Sequence, residues 1–379
     1  MQARSKCENE SLVPNGFGQQ GFKLERCSED NHLLLITHAG TLGSDAGINT
    51  ISNNRFITGY KVPRRKVIVV IALMCTCLVF LGIFVEIHFL NVCTICHQRV
   101  SYYNISLERN ETFFTLLPNI NCKKNPPFLV LLITSTHGQQ AARMAIRQSW
   151  GKPRTIQKQN VVAFFLLGSS VIRQHEDQAN LVDEHNKYND IIQRDFIDAY
   201  YNLTLKTVMG LDWIHHFCPE TTFVMKTDTD MFVNTIYLVD LLLRKKLTAN
   251  FFTGFLKPDE YPIRNIFSKW YVSRLEYPYY KYPPFCSGTG YVFSVDVALK
   301  IINMTSIVPF FKLEDVYVGL CLDKLKIPLQ ELHNKQTFFP ERVSFSVCNY
   351  RNIVTSHGVQ PKDILFYWEA MEWSETEKC

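Results

Sequence analysis

The chain is predicted to be an α/β protein with a single, mostly parallel sheet flanked by helices, set behind an N-terminal transmembrane anchor. Three observations predict this. Short apolar runs recur at Phe128–Thr134, Val161–Leu167 and Thr222–Met225, as expected of strands buried on both faces. Segments with helical spacing alternate with them, which favours parallel strands joined by helices. An uncharged apolar run, Val67–Val85, stands well before the first strand and is about as long as a bilayer crossing requires.

Composition narrows the functional classes. Of 379 residues, 46% are hydrophobic and 20% charged, which describes a folded protein with ample core. A net charge of +5, with no Lys/Arg stripe interleaved with aromatics, argues against a nucleic-acid partner.

The elements are expected in the following order. Residues 1–66 are polar and irregular and read as a cytoplasmic tail without fixed structure. Residues 67–87 form the anchor. Lys61, Arg64, Arg65 and Lys66 precede it, and the next basic residue is Arg99, so the tail faces the cytoplasm and the body the lumen. The run begins too far into the chain, and lacks the small-residue site, for a cleaved signal peptide. Residues 88–125 read as a lumenal stem carrying glycosylation sequons at Asn104 and Asn110; further sequons stand at Asn202 and Asn303. A lumenal address also favours disulfides among Cys122, Cys218, Cys286, Cys321, Cys348 and Cys379, with the connectivity open. Cys93 and Cys96 read as a juxtamembrane disulfide, and a homodimer is left open.

Residues 126–379 then carry the function. After the strand at Phe128–Thr134, a helix is expected over Gln139–Trp150. The strand Val161–Leu167 follows, then a helix at Gln178–Lys187, a short strand at Asp190–Asp195 and an amphipathic helix at Leu203–Phe217. The strand Thr222–Thr227 runs into Asp228-Thr-Asp230. No glycine-rich phosphate loop follows the first strand, so a phosphate-bearing ligand calls for metal and basic side chains.

Several constellations can carry chemistry. Asp228 and Asp230 would share one side of an extended backbone and reach one hard cation, Mg²⁺ or Mn²⁺. A surface turn is the plainer reading, but placement at the end of a buried strand favours the site. Arg143 and Arg147 lie four apart on one helical face and suit a phosphate or carboxylate, or simply a solvated face. The segment Pro283–Tyr291 reads as a binding loop, in which Gly288 and Gly290 admit close backbone approach. Trp270, Tyr277, Tyr279, Tyr280 and Tyr282 cluster beside it and could stack on sugar rings or fill a core. Glu314 and Asp315 open a helix, as capping residues or as chemistry. His357 is a candidate third metal ligand on residue type alone.

Taken in order, these segments resemble the β1,3-glycosyltransferase family of the Golgi. The resemblance spans roughly residues 122–370. It is carried by Arg143-x-x-Ile-Arg147-x-x-Trp150, Asp228-x-Asp230, Cys286-Ser-Gly-Thr-Gly-Tyr291 and Glu314-Asp315-Val-x-x-Gly319. Phe223–Phe232 and Lys312–Cys321 look closest to the type-5 galactosyltransferase branch; related N-acetylglucosaminyltransferases tend to carry three consecutive Asp where this chain has Asp-Thr-Asp. Departures are Ser149, where many members have Thr, and the long N-terminal tail. The resemblance implies a GT-A fold, UDP-galactose as donor, Mn²⁺ as cofactor and a GlcNAc-terminated glycan as acceptor, at the Golgi membrane. It further implies Asp315 as general base with Glu314 beside it. Asp230, His357 and Asp228 fall around the metal or ribose, and Arg143, Arg147, Trp150, Lys226, Gly288 and Gly290 around the donor. Alternatives are N-acetylglucosamine transfer by the same machinery, an Asp-x-Asp hydrolase with Asp228 as nucleophile, and a membrane-anchored glycan-binding protein without catalysis.

Overall fold

The computed structural model describes residues 68–69, 72–85, 114–170, 174–374 and 379. The expected tail, the sequons at Asn104 and Asn110 and the Cys93–Cys96 pair lie outside them. The chain divides into two units, Met1–Ile83 and Phe84–Cys379. In the first, the described residues are helical, but among the described residues no helix is long and apolar enough to cross a membrane.

The second unit is built on an eight-stranded sheet. Its strands are β1 (Phe114–Leu116), β2 (Leu129–Thr134), β3 (Arg154–Ile156), β4 (Gln159–Ser169), β5 (Ile191–Ile197), β6 (Phe223–Asp228), β8 (Phe252–Lys257) and β9 (Phe285–Ser294). The order across the sheet is β1-β5-β4-β2-β6-β9-β8, with β3 on β4. Only β5, β4, β2 and β6 run parallel; β1, β3, β9 and β8 pair antiparallel. A second sheet joins β10 (Phe338–Phe339), β11 (Thr355–His357) and β7 (Met231–Val233). The expectation of a single, mostly parallel sheet is therefore corrected to a mixed sheet plus a small second one. The physical reason is that Pro283–Tyr291, rich in glycine and flanked by prolines, reads locally as a loop. It nevertheless forms most of β9, because β6 and β8 supply backbone partners on either side.

Helices cover the sheet: α1 (Gln140–Gln148), α2 (Gln174–Tyr188), α3 (Leu203–Phe217), α4 (Thr235–Lys245), α5 (Val295–Met304), α6 (Glu314–Leu325), α7 (Val347–Arg351) and α8 (Pro361–Trp373). One apolar layer packs α3, α5 and α6 on one face through Leu132, Leu166, Val208, Trp213, Ile301 and Val316. The other packs α1, α4 and α8 through Leu131, Ile146, Phe165, Leu238 and Trp368. Alternate residues of β2 serve the two layers, since strand side chains alternate between faces. That is why the run is continuously apolar. Disulfides join Cys122 to Cys218 and Cys348 to Cys379, while Cys286 and Cys321 are free and buried.

From β2 the chain steps outward to β4 and β5, then returns through α3 to lay β6 on the other side of β2. The carboxyl ends of β2 and β6 thus meet where the strand order reverses, with Thr134 opposite Asp228 in the ladder. Such switch points are where open α/β sheets bind ligands.

Candidate active site

At this crevice β6 ends at Asp228, and Thr229-Asp230 turn the chain into β7. The two aspartates therefore do not share one side of a continuous strand. Asp228 Oδ1 accepts from Thr134 Oγ1 at 2.5 Å and from Lys226 Nζ at 2.8 Å. Asp230 takes a different partner. Its Oδ2 lies 3.2 Å from His357 Nε2, because β11 pairs antiparallel with β7 and sets His357 opposite Met231. The Asp230 hydrogen bond holds the His357 imidazole above its usual range. Among the described residues no three His, Cys, Asp or Glu side chains converge as a metal cluster. Asp230 and His357 remain a solvent-open oxygen and nitrogen pair, a donor set that suits Mn²⁺ with positions left for water and phosphate. Asp228 is engaged by Thr134 and Lys226.

Lys226 does not present itself to a phosphate. It is 2% exposed. Its ammonium donates to Asp228 Oδ1 and to the Gly288 carbonyl at 2.6 Å, with Glu314 Oε2 at 3.6 Å. Burial alone would lower its pKa, but the charges of Asp228 and Glu314 outweigh that and keep it protonated. The lysine is an internal countercharge that ties β6, β9 and α6 together.

The acidic pair at the start of α6 divides in the same way. Glu314 is buried, accepts a hydrogen bond from the Tyr291 hydroxyl and sits against Lys226. Burial pushes its carboxyl up, and Lys226 pulls it back. Asp315 is half-buried and accepts from two backbone amides, Gly288 N at 3.2 Å and Val316 N at 2.9 Å. Desolvation raises its pKa above the usual carboxylate range, while those two hydrogen bonds oppose the rise. A carboxylate so placed is fixed in orientation, still reachable, and more basic than one in water.

The glycines work on this pair. A Cβ built on Gly288 would stand 3.2 Å from Glu314 Oε2 and 3.4 Å from Asp315 Cβ, so what approaches its backbone closely is α6. Gly290 faces Thr227 in the β6–β9 ladder. Neither lies in a binding loop as expected.

Arg143, Arg147 and Trp150 are likewise committed to the body. Arg143, 1% exposed, forms a two-pronged pair with Glu184 at 2.7 Å and also donates to Ser135 Oγ and the Thr136 carbonyl. Arg147 pairs with Asp190 at 2.7 and 2.8 Å and with Glu184 at 2.7 Å. The two arginines do share a helical face, but α2 meets it with Glu184 and the turn after α2 with Asp190, so the expected phosphate contact is replaced by a buried ion network. Trp150 is fully buried among apolar side chains and offers no surface to a donor.

Local sequence gave little notice of four other residues. Thr134 fixes Asp228, and Tyr291 fixes Glu314. Lys206 donates to the Ser135 carbonyl at 2.5 Å and to Asp198 Oδ1 at 2.6 Å, while Asp198 Oδ2 accepts from Gly168 N. This buried pair ties together the carboxyl ends of β2, β4 and β5. The available signal was a lysine in the otherwise uncharged first two turns of the helix Leu203–Phe217. Of the aromatic cluster, Tyr277 and Tyr282 are core, whereas Trp270, Tyr279 and Tyr280 are exposed.

Comparison with known proteins places the chain in a family. A family model described as Galactosyltransferase matches residues 141–333. β1,3-Galactosyltransferase 5 of Mus musculus is 58% identical over 266 residues, covering 70% of this chain and 86% of the relative. The Homo sapiens protein of that name is 52% identical over 286 residues, covering 74% and 92%. β1,3-Galactosyltransferase 2 of Homo sapiens is 45% identical over 260 residues, covering 68% and 62%. A solved galactosyltransferase in complex with donor and acceptor sugar analogues aligns over 65% of this chain and 94% of its own, at 9% identity and a TM-score of 0.32. That distance leaves the assignment to the family model and the sequence relatives. On those grounds, the chain belongs to the β1,3-galactosyltransferase family.

Proposed function

We propose that the protein is an inverting β1,3-galactosyltransferase of GT-A type. It moves galactose from UDP-galactose to the 3-hydroxyl of a terminal N-acetylglucosamine on a glycan. The observation that carries the mechanism is the division within the acidic pair: Glu314 is buried against Lys226 and Tyr291, while Asp315 is the one held open at the crevice.

In the reaction, the acceptor oxygen attacks the anomeric carbon as its bond to the diphosphate breaks, which inverts the configuration. Asp315 takes the hydroxyl proton. Its two amide donors keep the carboxylate aimed and stabilise its ionised form at the α6 N-terminus. Asp230 and His357 would hold Mn²⁺, which supplies positive charge beside the departing diphosphate. Asp228, fixed by Thr134 and Lys226, is left to orient the nucleotide sugar, and the Lys206–Asp198 pair shapes the neighbouring strand ends. Orientation of the two sugars lowers the barrier before any bond changes.

The apolar run Val67–Val85 and the basic residues before it support a single-pass Golgi membrane protein with a lumenal catalytic unit. The test is transfer by the full-length chain in detergent, with Mn²⁺, UDP-galactose and a β-N-acetylglucosaminide, followed by linkage analysis. A Galβ1,3GlcNAc product lost with EDTA is expected. Transfer from UDP-N-acetylglucosamine in place of UDP-galactose would overturn the donor.

A further inference from the structure

We infer that Tyr200 and Trp270 form a stacking platform for the acceptor's terminal pyranose beside Asp315. The inference rests on the transferase reading above and names the residues that receive the acceptor. Tyr200 stands on a short 3₁₀ turn, Tyr200–Asn202, just ahead of α3. That turn is tied to the approach to α6, since Thr204 Oγ1 donates to the Phe311 carbonyl at 2.7 Å. Trp270 comes from the long segment between β8 and β9. The two segments are joined by Tyr201, whose hydroxyl donates to the Lys269 carbonyl at 3.3 Å. The Lys269 ammonium then lies over both rings, 4.6 Å from the Trp270 centroid and 5.8 Å from that of Tyr200.

These rings have no core to fill. Tyr200 is 44% and Trp270 47% exposed, whereas Tyr277 and Tyr282 of the same aromatic cluster are 7% and 5% exposed. Large rings held open by hydrogen bonds and a shared cation form a prepared surface. The Thr204–Phe311 bond sets the Tyr200 turn against the segment that leads into α6 and Asp315, and the electrostatics agree. Burial is the main cause holding the Tyr200 phenol above its usual range, the Trp270 side chain pulls it down, and the charges of Asp315 and Asp228 add to the rise. A pyranose presents C–H groups on one face, which pack on the negative face of an aromatic ring, and hydroxyls at its edge. The Trp270 N–H is engaged by the Tyr200 oxygen, which leaves the Tyr200 hydroxyl proton and the Lys269 ammonium as donors suited to that edge. A nucleobase would also stack, so the test must separate acceptor from nucleotide.

The full-length chain in a zwitterionic detergent is titrated with methyl β-N-acetylglucosaminide, followed by saturation-transfer NMR, and separately with UDP and Mn²⁺. Trp270→Ala is expected to weaken the glycoside about tenfold, with most of the affinity regained in Trp270→Phe. UDP affinity and melting temperature should stay at the wild-type values. Tyr200→Ala should act on the glycoside in the same direction. Unchanged glycoside affinity in Trp270→Ala would overturn the platform. So would a parallel loss of UDP affinity, or wild-type protein that fails to bind the glycoside. Because binding is read without turnover, inactivity towards UDP-galactose would refute the transfer reading while leaving the platform measurable.

Discussion

Replacing Asp315 by Asn and, in parallel, Glu314 by Gln separates the two carboxylates by role. Asp315→Asn keeps the shape and leaves an amide oxygen for Gly288 N or Val316 N, now 3.2 and 2.9 Å from the carboxylate. The stability lost is about one charge-assisted hydrogen bond at a helix N-terminus, roughly 1 kcal/mol, partly offset because a half-buried charge no longer has to be desolvated. The proton acceptor, however, is gone. Removing a general base costs about 10²–10⁴-fold in kcat, or about 3–5 kcal/mol of barrier. Glu314→Gln takes away one of the carboxylates around the buried Lys226 and leaves Asp228 to balance it. We expect about 1–3 kcal/mol of lost stability and a smaller fall in kcat. The assay is initial-rate transfer with both substrates varied, beside thermal melts of each variant. The pH dependence adds a second arm. If Asp315 is the base it must be ionised, and its pKa is raised, so the acid limb of kcat/KM should lie above the ordinary carboxylate range, with activity falling away as pH drops through it. Full activity in Asp315→Asn would refute the assignment. A larger kcat loss in Glu314→Gln, with an unchanged melt, would move the base to Glu314.

Three further outcomes are expected. Glu184→Gln leaves the buried Arg143 guanidinium without its partner and should cost about 3–5 kcal/mol by urea denaturation at neutral pH. Burial would raise Glu184, but the hydrogen bonds and charges of Arg143 and Arg147 hold it below its usual value. Its contribution is therefore complete above the unfolded-state pKa and disappears as pH falls through the folded one, and the gap between wild type and variant should close on acidification. His357→Ala should weaken Mn²⁺ binding about tenfold or more, read by the EPR signal of free Mn²⁺, and an unchanged titration would remove His357 from the metal. In Gly319→Ala the new Cβ would stand 2.6 Å from Phe285 Cβ, forcing α6 off β9; about 1–3 kcal/mol of stability and part of kcat should be lost together. A variant that melts with the wild type would contradict that packing.

The sequence by itself determined the repeating strand–helix units. Runs such as Leu129–Ile133 are apolar at every position because both faces are covered, and that pattern is local. The helix at Leu203–Phe217 and the helix opened by Glu314 and Asp315 were legible in the same way, and so was the placing of Asp228 at the end of a buried strand. What it could not determine was which charges face the crevice and which face each other. Arg143 and Arg147 share a helical face whether that face meets a phosphate or Glu184, and only the packing of α2 decides between them. Lys226 and Glu314 read as site residues until β9 and α6 close over them and bury both. The glycine segment reads as a loop until β6 and β8 offer it hydrogen bonds on both sides. Charge pairing and sheet pairing are contacts between residues distant in the chain. Local periodicity carries no record of them, so only the tertiary structure shows that Glu314 is taken up by Lys226 and Tyr291 while Asp315 is held by backbone amides.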